Sequence, residues 1–111
     1  MPEITYEQFA ALEIKIGTII SVEIVEGADK LLKLAVDIGE ETPRQILSGI
    51  RTYFEDPQVL VGRQCPFVTN LAPRTIRGLE SQGMIMAASA GEEAFALLHP
   101  STTLPAGTKV K

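Results

Sequence analysis

With 111 residues, 45% of them hydrophobic and 22% charged, the chain is long enough for one compact core, too short for two, and unlike a disordered tail in composition. Its net charge of −4 speaks at first sight against a nucleic-acid partner, because phosphate binding draws on Lys and Arg. The single cysteine, Cys65, excludes an internal disulfide, and the chain has neither a run of about 18 apolar residues nor a basic-then-apolar start, so a cytoplasmic protein without membrane attachment is expected.

Thr5 and Gln8 stand three apart as in a capping box, and Tyr6, Phe9 and Leu12 give one apolar side. A short N-terminal helix lying as a lid on the core is expected. Over residues 12–25 the period changes to two: Ile14, Ile16, Ile20, Val22 and Ile24 point one way, and Lys15, Gly17, Ser21 and Glu23 the other. This predicts one long strand, with Gly17 as a place where it can bend and so pair on two sides. After a polar connection at 26–30, Leu32, Leu34, Val36 and Ile38 alternate with Lys33, Ala35 and Asp37 as a second strand, residues 39–43 turn, and 44–50 form a third. Asp56 before Pro57 reads as a helix N-cap with proline at the first helical position, which places a helix between strands three and four. Strands four and five follow at 64–69 and 83–89. Gly91 and Glu92 turn the chain into 94–99, and Pro105, Ala106 and Gly107 turn the tail. Cys65 sits in an apolar run and reads as a small core residue.

Five short strands, a helix between the third and fourth, and a glycine bend in a long first strand predict an all-β, five-stranded Greek-key barrel of the OB type with short helices. The expected organisation is a single domain over 1–111, with the barrel at about 9–99 and a C-terminal extension at 100–111. An SH3-like barrel is the structural alternative.

The inventory for catalysis is poor. His99 is the sole histidine and Cys65 the sole thiol, so a nitrogen and sulfur zinc site cannot be assembled, and any triad would have to use His99. No glycine-flanked serine elbow and no Gly-rich phosphate loop is present. No catalytic site, metal or cofactor is expected. The adjacent pairs Glu40, Glu41 and Glu92, Glu93 fall at turns and read as solvated charges.

Charge is unevenly distributed. Residues 1–41 hold three basic side chains against nine acidic ones, whereas 42–79 hold Arg44, Arg51, Arg63, Arg74 and Arg77 against only Glu55 and Asp56. Within 70–85, Pro73 and Gly78 bracket a connection that cannot continue a strand ladder, and Arg74 and Arg77 extend from it. Arg can grip phosphate and stack on a base, and Ser81 and Gln82 offer short donors and acceptors, which together suit structured RNA. Ordinary surface charges and a self-satisfied turn would account for the same residues, and composition leaves both readings open.

Ala28, Asp29, Lys30 and Leu31 after the first strand, Leu47, Ser48, Gly49 and Ile50 at the end of the third, and the run 70–88 resemble a known family. It is the tRNA-binding domain shared by methionyl-tRNA synthetases (as a C-terminal domain or separate beta subunit), free-standing tRNA-binding proteins and the endothelial-monocyte-activating polypeptide. The resemblance covers about 9–110, and its most specific part is 78–84. It implies an OB barrel that binds tRNA by shape at the outer corner of the L, often as a homodimer joined through the C-terminal extension. Carried over position by position, the RNA face would comprise Lys15, Lys30, Ser48, Asn70, Arg74, Arg77, Ser81 and Met84, although a methionine in an apolar strand is more often core than contact. Gly27, Ala72 and Thr75 depart from the family pattern, where Asn, Lys and a basic residue are common, and so remove polar contacts. The implied function is a non-catalytic tRNA-binding module working as a trans accessory or subunit of an aminoacyl-tRNA synthetase, the methionyl enzyme in particular. The Met1, Pro2 start favours a separate protein. One branch of the family resembles a secretion chaperone, so the alternative is a chaperone-like homodimer that binds unfolded peptide.

Overall fold

Alternating apolar side chains build a meander of three antiparallel strands, β1 (Ile14–Ile24), β2 (Leu32–Asp37) and β3 (Arg44–Ser48), in a computed structural model that describes residues 2–111. A fourth strand, β4 (Gln64–Val68), returns to β1. The remaining strands are β5 (Arg74–Ile76), β6 (Leu79–Ser81), β7 (Met84–Ile85), β8 (Ala87–Ser89) and β9 (Phe95–Leu97). The main sheet has the order β3-β2-β1-β4-β7. β1 is long enough for two neighbours: residues 14–18 pair with β4, and 18–24 pair with β2. β3 packs against β7, so the sheet is nearly closed into the expected five-stranded, OB-like barrel.

Phe67, Ile19, Leu32, Leu34, Ile38, Ile46, Leu60, Val36 and Cys65 fill its interior with almost no exposed surface. Full burial of each large aliphatic side chain contributes roughly 1.5–3 kcal/mol.

The phase of β1 differs from the simple alternation. The ladder with β2 slips between Ile19 and Ser21, a bulge that reverses the phase: Ile19 before it and Val22 after it both enter the core, Ile20 between them is exposed, and Ile24 is exposed at the end of the strand. Ile14 and Ile16 are buried, yet they lie outside the main core cluster. Gly17 faces inward rather than outward. A Cβ there would lie 2.6 Å from Val36 Cγ1 and 2.8 Å from Phe67 Cδ1, so the missing side chain makes room for two core residues.

The N-terminal helix α1 (Tyr6–Ala10) forms with its full capping box: Thr5 N donates to Gln8 Oε1 at 2.8 Å, and Gln8 N donates to Thr5 Oγ1 at 3.1 Å. It is not a lid. None of its residues is buried, and Tyr6 is 79% exposed, because five residues make little more than one turn and present no continuous stripe to the barrel. The segment expected as a helix between strands three and four is two 3-10 turns, Arg51–Tyr53 and Pro57–Leu60, and the Asp56 side chain caps the second as expected. This second turn packs on β1 and inserts Leu60 into the core. The fifth predicted strand divides into β7 and β8.

The C-terminal extension is part of the sheet edge. Beyond the end of β2, which stops at Asp37 opposite Thr18, residues 107–110 pair with the start of β1: Ile16 N donates to Thr108 O at 2.8 Å and Val110 N to Ile14 O at 2.8 Å. Gln64 clamps the preceding segment by donating to Leu104 O at 2.7 Å and accepting from Leu104 N at 3.0 Å.

Candidate nucleic-acid interface

The basic segment, expected as a connection, is a β-hairpin. Arg74 lies opposite Ser81, Thr75 opposite Glu80, and Ile76 opposite Leu79, with Arg77 and Gly78 as the two-residue turn. Both turn residues have positive φ, 54° at Arg77 and 78° at Gly78, as a type I′ turn requires. Glycine adopts this conformation freely, whereas arginine does so at a cost of about 1–2 kcal/mol. Arg77 is the one non-glycine residue with positive φ among the described residues, and it stands at the tip of the hairpin.

Residues 80–83 fasten the hairpin to β3. Gln82 N donates to Gln45 O at 2.8 Å, Gln45 N donates to Gln82 Oε1 at 3.0 Å, and Gln45 Nε2 donates to Glu80 O at 2.9 Å. Ser81 Oγ accepts from Leu47 N at 3.0 Å and donates to Gly83 O at 3.1 Å. Gly83 has φ 146°, and a Cβ on it would lie 2.9 Å from Val68 O, so only glycine lets the chain pass β4 here. The most family-specific stretch, 78–84, thus positions the cations more than it supplies contacts.

The structure brings Lys30 and Arg77 together. Both line one recess with Gly27, Ala28, Asp29 and Leu31. The recess is built by a tight turn in which Ala28 is buried and Leu31 N donates to Ala28 O at 3.3 Å. Ser48 ends β3 opposite Leu32, two residues from Lys30. Arg74 is exposed on the hairpin. Neither Lys30, Arg74 nor Arg77 forms an ion pair among the described residues.

Other candidates are engaged within the fold. Asn70 Nδ2 donates to Ala11 O at 2.6 Å and its Oδ1 accepts from Glu13 N at 2.8 Å, so this side chain pins the entry to β1. Lys15 pairs with Glu13 at 3.3 Å and sits beside Lys109 of the C-terminal segment, away from the recess residues in the pairing scheme. Met84, on β7, is 47% exposed and therefore lies on the surface rather than in the core. Arg44, one of the five arginines of the basic third, is held by Glu40 through Nε–Oε1 at 3.0 Å and Nη2–Oε2 at 2.8 Å, and Nη1 donates to Gln82 O at 3.1 Å. That pairing holds the Glu40 carboxyl below its ordinary range. Glu13 is lowered as well, first by the Thr69 hydroxyl and then by Lys15. The i, i+4 spacing of Glu40 and Arg44 is the signal in the sequence that this arginine is not free.

Among the described residues, no three His, Cys, Asp or Glu side chains gather as a metal site would require, and no helix is long and apolar enough to cross a membrane.

A nearly closed OB-like barrel that carries uncommitted cations on a fastened hairpin and on the facing turn defines a small nucleic-acid-binding module. The family model described as "Putative tRNA binding domain" matches residues 14–109, and the chain belongs to that family. Among curated proteins, it is 51% identical over 110 residues to the methionine–tRNA ligase of Methanospirillum hungatei, covering 99% of this chain. The chain spans 16% of the length of the curated methionine–tRNA ligases it matches. Among solved structures, it is similar to a MetRS-related protein of Pyrococcus horikoshii (TM-score 0.91, 32% identity, all of both chains covered). It is also similar to the chaperone CsaA of Bacillus anthracis (TM-score 0.85, 29% identity, 99% of this chain and 100% of that one).

Proposed function

We propose that the 111 residues act as a single non-catalytic domain that holds tRNA by shape and delivers it to an aminoacyl-tRNA synthetase, the methionyl enzyme, either as a subunit or in trans. The observation that carries this reading is the pairing of Lys30 with Arg77 at one recess, with Arg77 held there in a conformation that arginine disfavours. The likeness to methionine–tRNA ligases supports the choice of enzyme. The RNA face we assign comprises Lys30, Ser48, Arg74, Arg77 and Met84, with Asn70 and Ser81 as positioning residues and Lys15 as a peripheral cation. Linking this face to a catalytic body raises the local concentration of tRNA without chemistry of its own. A homodimer doubles the face, and we assign its contact to the C-terminal extension beyond Thr103 together with the exposed apolar side chains of Ile4, Tyr6, Phe9 and Leu12.

The likeness to CsaA favours a second reading, a dimeric chaperone for unfolded peptide. Titrating the chain with total tRNA across a salt series, and in parallel with a denatured protein client, separates the two. The tRNA reading predicts affinity that falls steeply with salt and no saturable binding of the client. Client binding without tRNA binding would overturn it. Light scattering on the same samples tests the dimer, and a monomer at all concentrations would remove it.

A further inference from the structure

Three aromatic rings pack together on a part of the chain that the recess does not use. Tyr53 ends the first 3-10 turn, and its ring stacks on Phe95 of β9 with centroids 4.0 Å apart and planes 6° from parallel. Phe54 meets the same Phe95 edge-on at 6.0 Å and 87°. Phe54 and Phe95 pack against the core, which fixes the stack, while Tyr53 remains 39% exposed. These rings line a cavity of about 670 Å³, within the range of roughly 300–1,000 Å³ usual for small-ligand sites.

The chemistry of the lining is specific. Arg63 Nε donates to Val59 O at 3.1 Å, which anchors the guanidinium and leaves its terminal nitrogens without a hydrogen bond or ion pair among the described residues. His99 and the hydroxyls of Ser101 and Thr102 share the lining. No Asp or Glu lines the cavity, in a chain with 14 acidic residues against 10 basic. One backbone hydrogen bond links the turn beside the cavity to the recess. Arg51 N donates to Lys30 O at 3.1 Å, so the turn that ends in Tyr53 begins on the residue that faces Arg77.

We propose that this cavity receives one unpaired nucleotide of the RNA held at the recess, its base adding to the Tyr53–Phe95 stack and its phosphate meeting Arg63. The inference rests on the tRNA-binding reading and extends it to the unpaired part of the ligand. Stacking on an aromatic ring tolerates any base, because every base presents a π face. Proteins read RNA mainly through such splayed nucleotides rather than through the deep groove of the duplex. An unfolded peptide is the other occupant that aromatic walls accept. The uncompensated cation and acid-free lining favour a ligand that carries phosphate.

The test titrates the full chain with a blunt RNA duplex and with the same duplex bearing a short single-stranded overhang. Tyr53→Ala should weaken overhang binding roughly tenfold and leave the blunt duplex unchanged, with Tyr53→Phe restoring the affinity. Arg63→Gln, an exposed change that leaves the stack intact, should weaken the overhang probe and lower its salt slope by about one. Equal affinity of wild type and both variants for the overhang probe would overturn the inference, as would an equal loss on both probes. A denatured client whose binding is lost in Tyr53→Ala while overhang binding persists would overturn it in favour of peptide. Failure of the wild type to bind any RNA would instead overturn the tRNA-binding reading beneath it.

Discussion

The Ser81 hydroxyl accepts the Leu47 amide at 3.0 Å from a position that is only 4% exposed, and this bond ties the basic hairpin to β3. Ser81→Ala leaves that buried N–H without a partner. The expected cost is about 1–3 kcal/mol of stability, measured by urea unfolding. The salt slope of tRNA binding should not change, since no cation is removed. A loss of tRNA affinity with unaltered stability would mean that Ser81 contacts RNA directly.

Arg77 separates binding from folding. Its φ of 54° suits Asn or Gly better than Arg. Arg77→Asn should therefore unfold at the same or a higher urea concentration, with a gain of up to about 1 kcal/mol. At the same time it should weaken tRNA binding and lower the salt slope by about one. A stable variant with unchanged affinity would show that the hairpin tip does not touch RNA.

Gly17 is required for space. With Val36 Cγ1 at 2.6 Å and Phe67 Cδ1 at 2.8 Å from an added Cβ, Gly17→Ala overpacks the barrel, and a loss of about 1–3 kcal/mol in chemical denaturation is expected. Gly49 makes a control on the space argument, because its φ is not positive and the nearest atom to an added Cβ is Lys30 O at 4.0 Å.

The acid side of the stability profile follows from Glu13 and Glu40. Both carboxyls titrate below the ordinary value of 4.5, Glu13 chiefly through Thr69 and Glu40 chiefly through Arg44. Their folded state prefers the ionised form, so the stability they add is complete above 4.5 and lost as the pH falls through their lowered values. Thermal melting between about pH 6 and about pH 3 should show a shallower acid decline in Glu40→Gln than in wild type. Both groups are solvent-exposed, so the difference should be modest.

Much of the barrel was legible because strands buried on one face repeat with period two, as Leu32, Leu34, Val36 and Ile38 do without interruption. In β1 the same rule failed at the bulge, where one extra residue reverses the phase and no local signal marks the slip between Ile19 and Ser21. The capping box announced α1 correctly but gave no information on what the helix would cover. The hairpin was hidden because its turn is Arg-Gly rather than the usual Asn-Gly or Asp-Gly, and its strands are only three residues long. Side-chain roles were the least legible. Residue type makes Ser81 and Asn70 look like RNA readers, and only their geometry reveals that backbone groups engage them.

The central claim is that cations of the hairpin hold phosphate. The most direct measurement is the salt dependence of tRNA affinity for wild type and for the double variant Arg74→Ala, Arg77→Ala. With two phosphate contacts removed, the logarithmic slope should fall by about two and the affinity at low salt should drop, while the folded barrel, whose core neither residue enters, stays intact. An unchanged slope and affinity in a folded double variant would contradict the account.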